Sequence, residues 1–201
     1  QIQHMELAAD ADGKIQAVRV RILGDMGAYL QLVTPGIPIL GAFLYAGVYD
    51  IPMYDFSCTS VFTTLTPTDA YRGAGRPEAT YAIERAMDAL AREMGVTPEE
   101  IRRRNYIQPE QFPYTNPTGA IIMDSGNYEP TMAWALEMAG IDELRAEQQR
   151  RRDAGDTKVL GIGICTYMEM CGLAPSRTLA ALNYSAGGWE AATCLLYTSP
   201  S

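Results

Sequence analysis

The chain has a single histidine, His4, which argues against an imidazole-based catalytic triad or zinc site within it. Cys58, Cys165 and Cys171 form no C-x-x-C pair, so a zinc ribbon and a c-type haem are disfavoured too. Basic residues are outnumbered 16 to 24, and the net charge of -8 disfavours a nucleic-acid partner. The longest charge-free apolar stretch, residues 36–48, is too short to span a bilayer and is broken by Gly and Pro. Nothing at the start resembles a signal peptide. Scattered thiols fit a reducing, cytoplasmic setting. The triplets Arg102-Arg103-Arg104 and Arg150-Arg151-Arg152 lie among acidic residues in helical patterns and read as solvated helix faces.

What is present is an ordinary globular chain: 201 residues, 47% hydrophobic and 20% charged, enough for a substantial core. Strand patterns cover 2–9 and 14–23, joined at Asp10-Ala11-Asp12-Gly13, with a bulge or bend expected at 24–29. Residues 33–53 read as a packed irregular segment with a short helix, and a strand follows at 54–64. The clearest helix runs from Pro77 to Met94 on a stripe of Ile83, Met87, Leu90 and Met94, ended by Gly95. Asp88 and Arg92 are spaced as an i,i+4 pair on its outer face. Thr97-Pro98-Glu99-Glu100 opens a second helix. Residues 106–126 predict a loop with a small hairpin, and helices follow from Asn127 to Gly140 and over 142–152. Strands are expected at 158–169 and 178–184. Strands on both sides of a helix cluster, without βαβ alternation, predict an α+β fold with mixed sheets.

The two ends look cut. The chain starts in strand-like sequence without a methionine, and Cys194-Leu195-Leu196-Tyr197-Thr198-Ser199 reads like a translated sequencing-library adapter. The expectation is an internal fragment over 1–193 and a non-native tail over 194–201.

One segment carries chemistry: Ala70-Tyr71-Arg72-Gly73-Ala74-Gly75-Arg76-Pro77-Glu78. Glycines allow close backbone approach, a helix start offers free N–H groups, and Arg72 and Arg76 add permanent cations. The loop is suited to an anionic ligand. The dinucleotide fingerprint G-x-G-x-x-G is not met, and a structural turn with two exposed arginines would use the same residues. Glu169, among apolar neighbours at a strand end, is a further candidate for a buried carboxylate, functional or structural. Trp134, Met132 and Met138 share one helix and read as core or interface.

The 70–76 loop resembles the active-site loop of molybdenum hydroxylase large subunits (the xanthine dehydrogenase and aldehyde oxidase family), most like the second form of carbon-monoxide-dehydrogenase-like proteins. Segments in collinear order agree: Gly27-Ala28-Tyr29, Ala46-Gly47-Val48-Tyr49-Asp50-Ile51-Pro52, Ile101-Arg102-Arg103-Arg104-Asn105, Asp124-Ser125-Gly126-Asn127-Tyr128 and Gly161-Ile162-Gly163. The resemblance implies part of a molybdopterin-binding region and a molybdenum–molybdopterin cofactor, usually the cytosine dinucleotide form in bacteria. It also implies an iron–sulfur small subunit and an FAD subunit as partners, and oxidation of a small carbon substrate with water as oxygen source. Arg72 and Gly73 would contact the cofactor, Gly73 and Ala74 would face the substrate, and the general base, a glutamate, would lie beyond this stretch. Gly73 replaces the copper-binding cysteine of true carbon monoxide dehydrogenases, so no copper is expected. Ala74 replaces the purine-stacking phenylalanine of xanthine dehydrogenases, which leaves an aldehyde or a heteroaromatic substrate. The alternatives are a non-catalytic phosphate- or nucleotide-binding module and an inactive paralogue.

Overall fold

A computed structural model describes residues 1–31 and 33–169. The strand expected at 178–184, Cys171 and the 194–201 tail lie outside the described residues.

The alternating patterns at the start form a hairpin of β1 (Ile2–Ala9) and β2 (Ile15–Asp25). Its turn is held by the Asp10 carboxylate, which accepts the N–H groups of Asp12 and Lys14 at 3.0 and 2.9 Å. β3 (Met53–Val61) then lies parallel to β2, in register from Ala17 opposite Met53 to Asp25 opposite Val61. Parallel neighbours need a crossover. Residues 26–52 supply it, with α1 (Gly36–Leu40) followed by a 3-10 turn over Gly41–Phe43. The break expected over 24–29 falls within that range: Asp25 still pairs with Val61, and the chain turns away at Gly27.

Ile15, Val18, Val20 and Ile22 of β2 share one core with Ala79, Ile83, Met87 and Ala91 of α2 (Arg76–Met94). The stripe anticipated from sequence is the buried face. Gly95, in left-handed conformation, closes α2 by donating to the carbonyls of Ala91 and Arg92. α3 (Pro98–Asn105) opens with the Thr97 hydroxyl accepting the Glu100 N–H at 3.3 Å. The short hairpin is β4 (Tyr114–Thr115) with β5 (Ile122–Met123). α4 (Tyr128–Ala139) and α5 (Ile141–Asp153) meet at left-handed Gly140. Three-stranded and two-stranded sheets with five helices make the described chain α+β, as expected.

Three expectations fail. Arg102 is not on a solvated face. It is fully buried against α2, because the Glu84 and Asp88 side chains neutralise its guanidinium and the carbonyls of Glu84, Pro98 and Ile164 fill its remaining donors. Asp88 consequently pairs with Arg102 at 3.0 Å, and with Arg85 at 3.6 Å, rather than with Arg92. Residues 158–169 form no strand. They are fastened by single bonds, with Arg102 Nη2 donating to Ile164 O and the Thr166 N–H donating to Glu84, and no ladder forms. Of the three α4 residues read as core or interface, Met132 is buried in the core, while Trp134 and Met138 are exposed on this chain. The face of α4 turned to the core is set by Tyr128, Met132 and Leu136, four residues apart, and Trp134 and Met138 fall off that stripe. No helix among the described residues is long and apolar enough to cross a membrane.

Candidate functional site at the head of the long helix

Two segments leaving the sheet are fastened side by side. The Met26 N–H donates to Val61 O at 2.9 Å and the Ala28 N–H to Leu65 O at 3.0 Å. Asp25 Oδ1 accepts the Gly27 N–H at 2.8 Å and the Thr63 hydroxyl at 2.7 Å, and these bonds hold its carboxyl below the usual range. Gly27 is required here: its φ is +72°, and a Cβ would fall 2.3 Å from Pro67 Cα. Further on, the buried Thr34 hydroxyl donates to Thr68 O at 2.7 Å. Asp69 Oδ1 accepts the N–H groups of Val33 and Ala70 at 3.1 and 2.8 Å.

This frame presents the 71–75 turn to the N-terminus of α2. The Ala74 N–H donates to Tyr71 O and the Arg76 N–H to Gly73 O, both at 2.8 Å. The two glycines of Gly73-Ala74-Gly75 do different jobs. A Cβ on Gly75 would lie 2.4 Å from Ile37 O and 2.8 Å from Gly41 N, and one on Gly41 would lie 2.8 Å from Gly75 O. These glycines let the α1 crossover sit on the head of α2, backbone on backbone, and Gly75 is not an approach for a ligand. At Gly73, with φ +95°, a Cβ would meet only the Pro77 ring at 3.5 Å. Its carbonyl is turned inward, accepting also from Arg76 Nε at 3.3 Å.

Beside the turn opens a pocket of about 520 Å³. Arg72 and Ala74 line it with Asp25, Thr34, Asp69 and Glu78, against apolar walls from Ile37, Pro38, Leu65 and Pro77. Arg72 and Ala74 thus both line the pocket, while Gly73, between them in sequence, is not part of the lining. Glu169, for which burial was considered, is exposed. Cys58 is half-buried and Cys165 exposed, both as free thiols. Among the described residues no group of three or more His, Cys, Asp or Glu side chains could hold a metal ion by itself.

Sequence reasoning missed two carboxylates. Glu78 closes the 70–78 segment but is given no role by it, and its Oε2 is buried without a hydrogen-bond partner. Its signal was its place, directly after Arg-Pro at a helix head. Glu84 lies deeper on α2, accepting from Arg102 Nε at 2.9 Å, from the Thr166 N–H at 2.8 Å and from the Tyr49 hydroxyl. Burial, reinforced by Glu84, pushes the Tyr49 phenol well above its ordinary range. Tyr106 stacks on Tyr49 at 5.9 Å, and burial pushes its phenol up to about 12.

Residues 1–106 match the molybdopterin cofactor-binding domain family. The carbon monoxide dehydrogenase large chain of Afipia carboxidovorans is 40% identical over 90% of this chain and 23% of its own length. The nicotine 6-hydroxylase large subunit of Paenarthrobacter nicotinovorans is 37% identical over 84% of this chain and 20% of its own. Among solved structures, quinoline 2-oxidoreductase from Pseudomonas putida superposes with a TM-score of 0.71. It is 35% identical and covers 77% of this chain and 20% of that one. The chain thus spans less than a quarter of the length of these relatives.

Proposed function

This chain belongs to the molybdopterin cofactor-binding domain family, and we propose that it is part of the large catalytic subunit of a molybdenum hydroxylase whose cofactor is met by the 72–74 turn. The observation that carries the reading is the pocket at the head of α2, which Arg72 and Ala74 both line. Its size is that of a small-molecule site. The residues fit the group in kind: a permanent cation suits the anionic oxygen and phosphate edges of a molybdopterin, and apolar walls suit its ring. When bound, the molybdenum centre supplies the transfer of a water-derived oxygen to carbon and takes up the resulting electrons.

This chain's residues hold and shape. Arg72 offers a guanidinium that needs no reorganisation as charge builds beside it. Gly73, with no side chain, and Ala74, with one methyl, keep the approach open. Gly73 also supplies no thiolate, so copper has no soft ligand in this turn. That combination favours an organic substrate, an aldehyde or a heteroaromatic ring, over carbon monoxide. We further propose the cytosine dinucleotide form of the cofactor, iron–sulfur and FAD partner subunits that carry electrons away, and a cytoplasmic location. A large chain, a large subunit and the gamma subunit of a dehydrogenase complex among the relatives support such an assembly.

The experiment is turnover of the purified full-length protein in ¹⁸O-labelled water with aldehyde and N-heteroaromatic substrates. Label in the product supports a hydroxylase. Bound molybdenum with no labelled product indicates an inactive paralogue, and absence of molybdenum indicates a different anion-binding module.

A further inference from the structure

The acidic residues that line the pocket differ in one respect. Asp25 and Asp69 each commit an oxygen to protein donors, to Gly27 and Thr63 in one case and to Val33 and Ala70 in the other. Glu78 does not: its Oε2 is buried and has no hydrogen-bond partner among the described residues. The head of the helix does not close on it. The Arg76 N–H goes to Gly73 O at 2.8 Å and the Ala79 N–H to Gly75 O at 3.2 Å. An acceptor taken from water and left unfilled is disfavoured, and folded proteins meet such atoms with a ligand, an ion or ordered water. Arg72 lines the same pocket, so a ligand that carries both an N–H donor and an acceptor edge can meet Glu78 and Arg72 together. The apolar part of the lining, from Ile37, Pro38, Leu65 and Pro77, suits a flat apolar body.

We infer that Glu78 is a ligand-reading carboxylate: Oε2 accepts a hydrogen bond from the ring N–H of a nitrogen heterocycle whose oxygen-bearing edge meets Arg72. This rests on the reading of the pocket as the ligand site and adds the chemistry that it selects, a ring with both a donor and an acceptor edge. The ring can belong to the pterin of the cofactor or to a heteroaromatic substrate, and the N–H is common to both.

The test uses full-length protein, wild type, Glu78→Gln (an acceptor oxygen kept, the charge removed) and Glu78→Met (no acceptor). Each is produced in a cofactor-competent and a cofactor-deficient host. Bound pterin per chain is measured, together with calorimetric affinity for 2-pyridone, which has a ring N–H, and N-methyl-2-pyridone, which lacks it. If the pterin supplies the donor, pterin content falls sharply in Glu78→Met and less in Glu78→Gln. If the substrate does, wild type prefers 2-pyridone by about 10- to 100-fold, the scale of one charge-assisted hydrogen bond, and Glu78→Met loses that preference. In either case cofactor-free Glu78→Met unfolds at no lower temperature than wild type. Unchanged pterin content with unchanged pyridone selectivity would overturn the inference, as would a lowered unfolding temperature in the cofactor-free variant. A wild type without pterin would defeat the reading of the pocket as a cofactor site, while the pyridone pair would still decide the role of Glu78.

Discussion

Arg102 of α3 is fully buried and grips Glu84 of α2 at 2.9 Å, and Glu84 in turn accepts the Thr166 N–H at 2.8 Å. One ion pair thus fastens two helices and the extended segment beyond α5. Removing one partner strands a buried charge, which typically costs about 3–5 kcal/mol. Arg102→Leu is expected to lower the unfolding temperature of the full-length protein markedly. A double change, Arg102→Leu with Glu84→Leu, should recover part of that loss. A double variant as unstable as the sum of its single changes would show that the two side chains act independently.

The same cluster sets an alkaline limit. The Tyr106 phenol is pushed up to about 12 by burial, and that of Tyr49 is held well above its ordinary range by burial and then by Glu84. Unfolded tyrosines ionise near pH ~10, so above that pH the unfolded chain gives up protons that the folded chain retains. The contribution is fully present below about pH 10 and is lost as pH rises toward 12. Tyr106→Phe should flatten the fall of unfolding temperature over this window. An unchanged slope would remove Tyr106 from the linkage.

The glycines of the turn should separate by experiment. Gly75→Ala places a Cβ 2.4 Å from a backbone oxygen and should prevent the α1 crossover from seating on α2, giving little folded protein. Gly73→Ala meets only the Pro77 ring at 3.5 Å and pays mainly for its positive φ, about 1 kcal/mol. Thermal unfolding of the two variants decides; equal losses would contradict the division of roles.

Much of this was legible in the sequence, and the exceptions share a cause. The β1–β2 hairpin, the α2 stripe ended by Gly95 and the α3 cap follow from local periodicity and turn chemistry. Arg102 looked solvated because its partners lie 14 and 18 residues away on another helix. Asn105 was quoted only within a matching segment. Yet its amide donates to Gly13 O and Ile101 O and accepts from the Ile15 N–H, tying α3 to the first hairpin. Residues 158–169 have strand-like composition, but a strand needs a free edge in register, which no local pattern can announce. In the candidate site, Arg72 and Ala74 came from the loop itself. Glu78 stayed hidden because its distinction is a missing partner, visible only in three dimensions.

Arg72→Ala should reduce turnover of the full-length enzyme far more than its stability, since its side chain is exposed to the pocket rather than packed in the core. A lost preorganised donor of this kind costs about 2–4 kcal/mol in the transition state. Arg72→Lys should recover only part, because an ammonium lacks the planar fork. Steady-state kinetics beside thermal unfolding is the check, and wild-type turnover in Arg72→Ala would remove Arg72 from the site.

Elemental analysis of the purified full-length protein tests the central claim most directly. The pocket at the head of α2, with a cation at Arg72 and no thiolate at Gly73, predicts molybdenum near one per chain and no stoichiometric copper. A protein without molybdenum, or one with copper matching its molybdenum, would contradict the account.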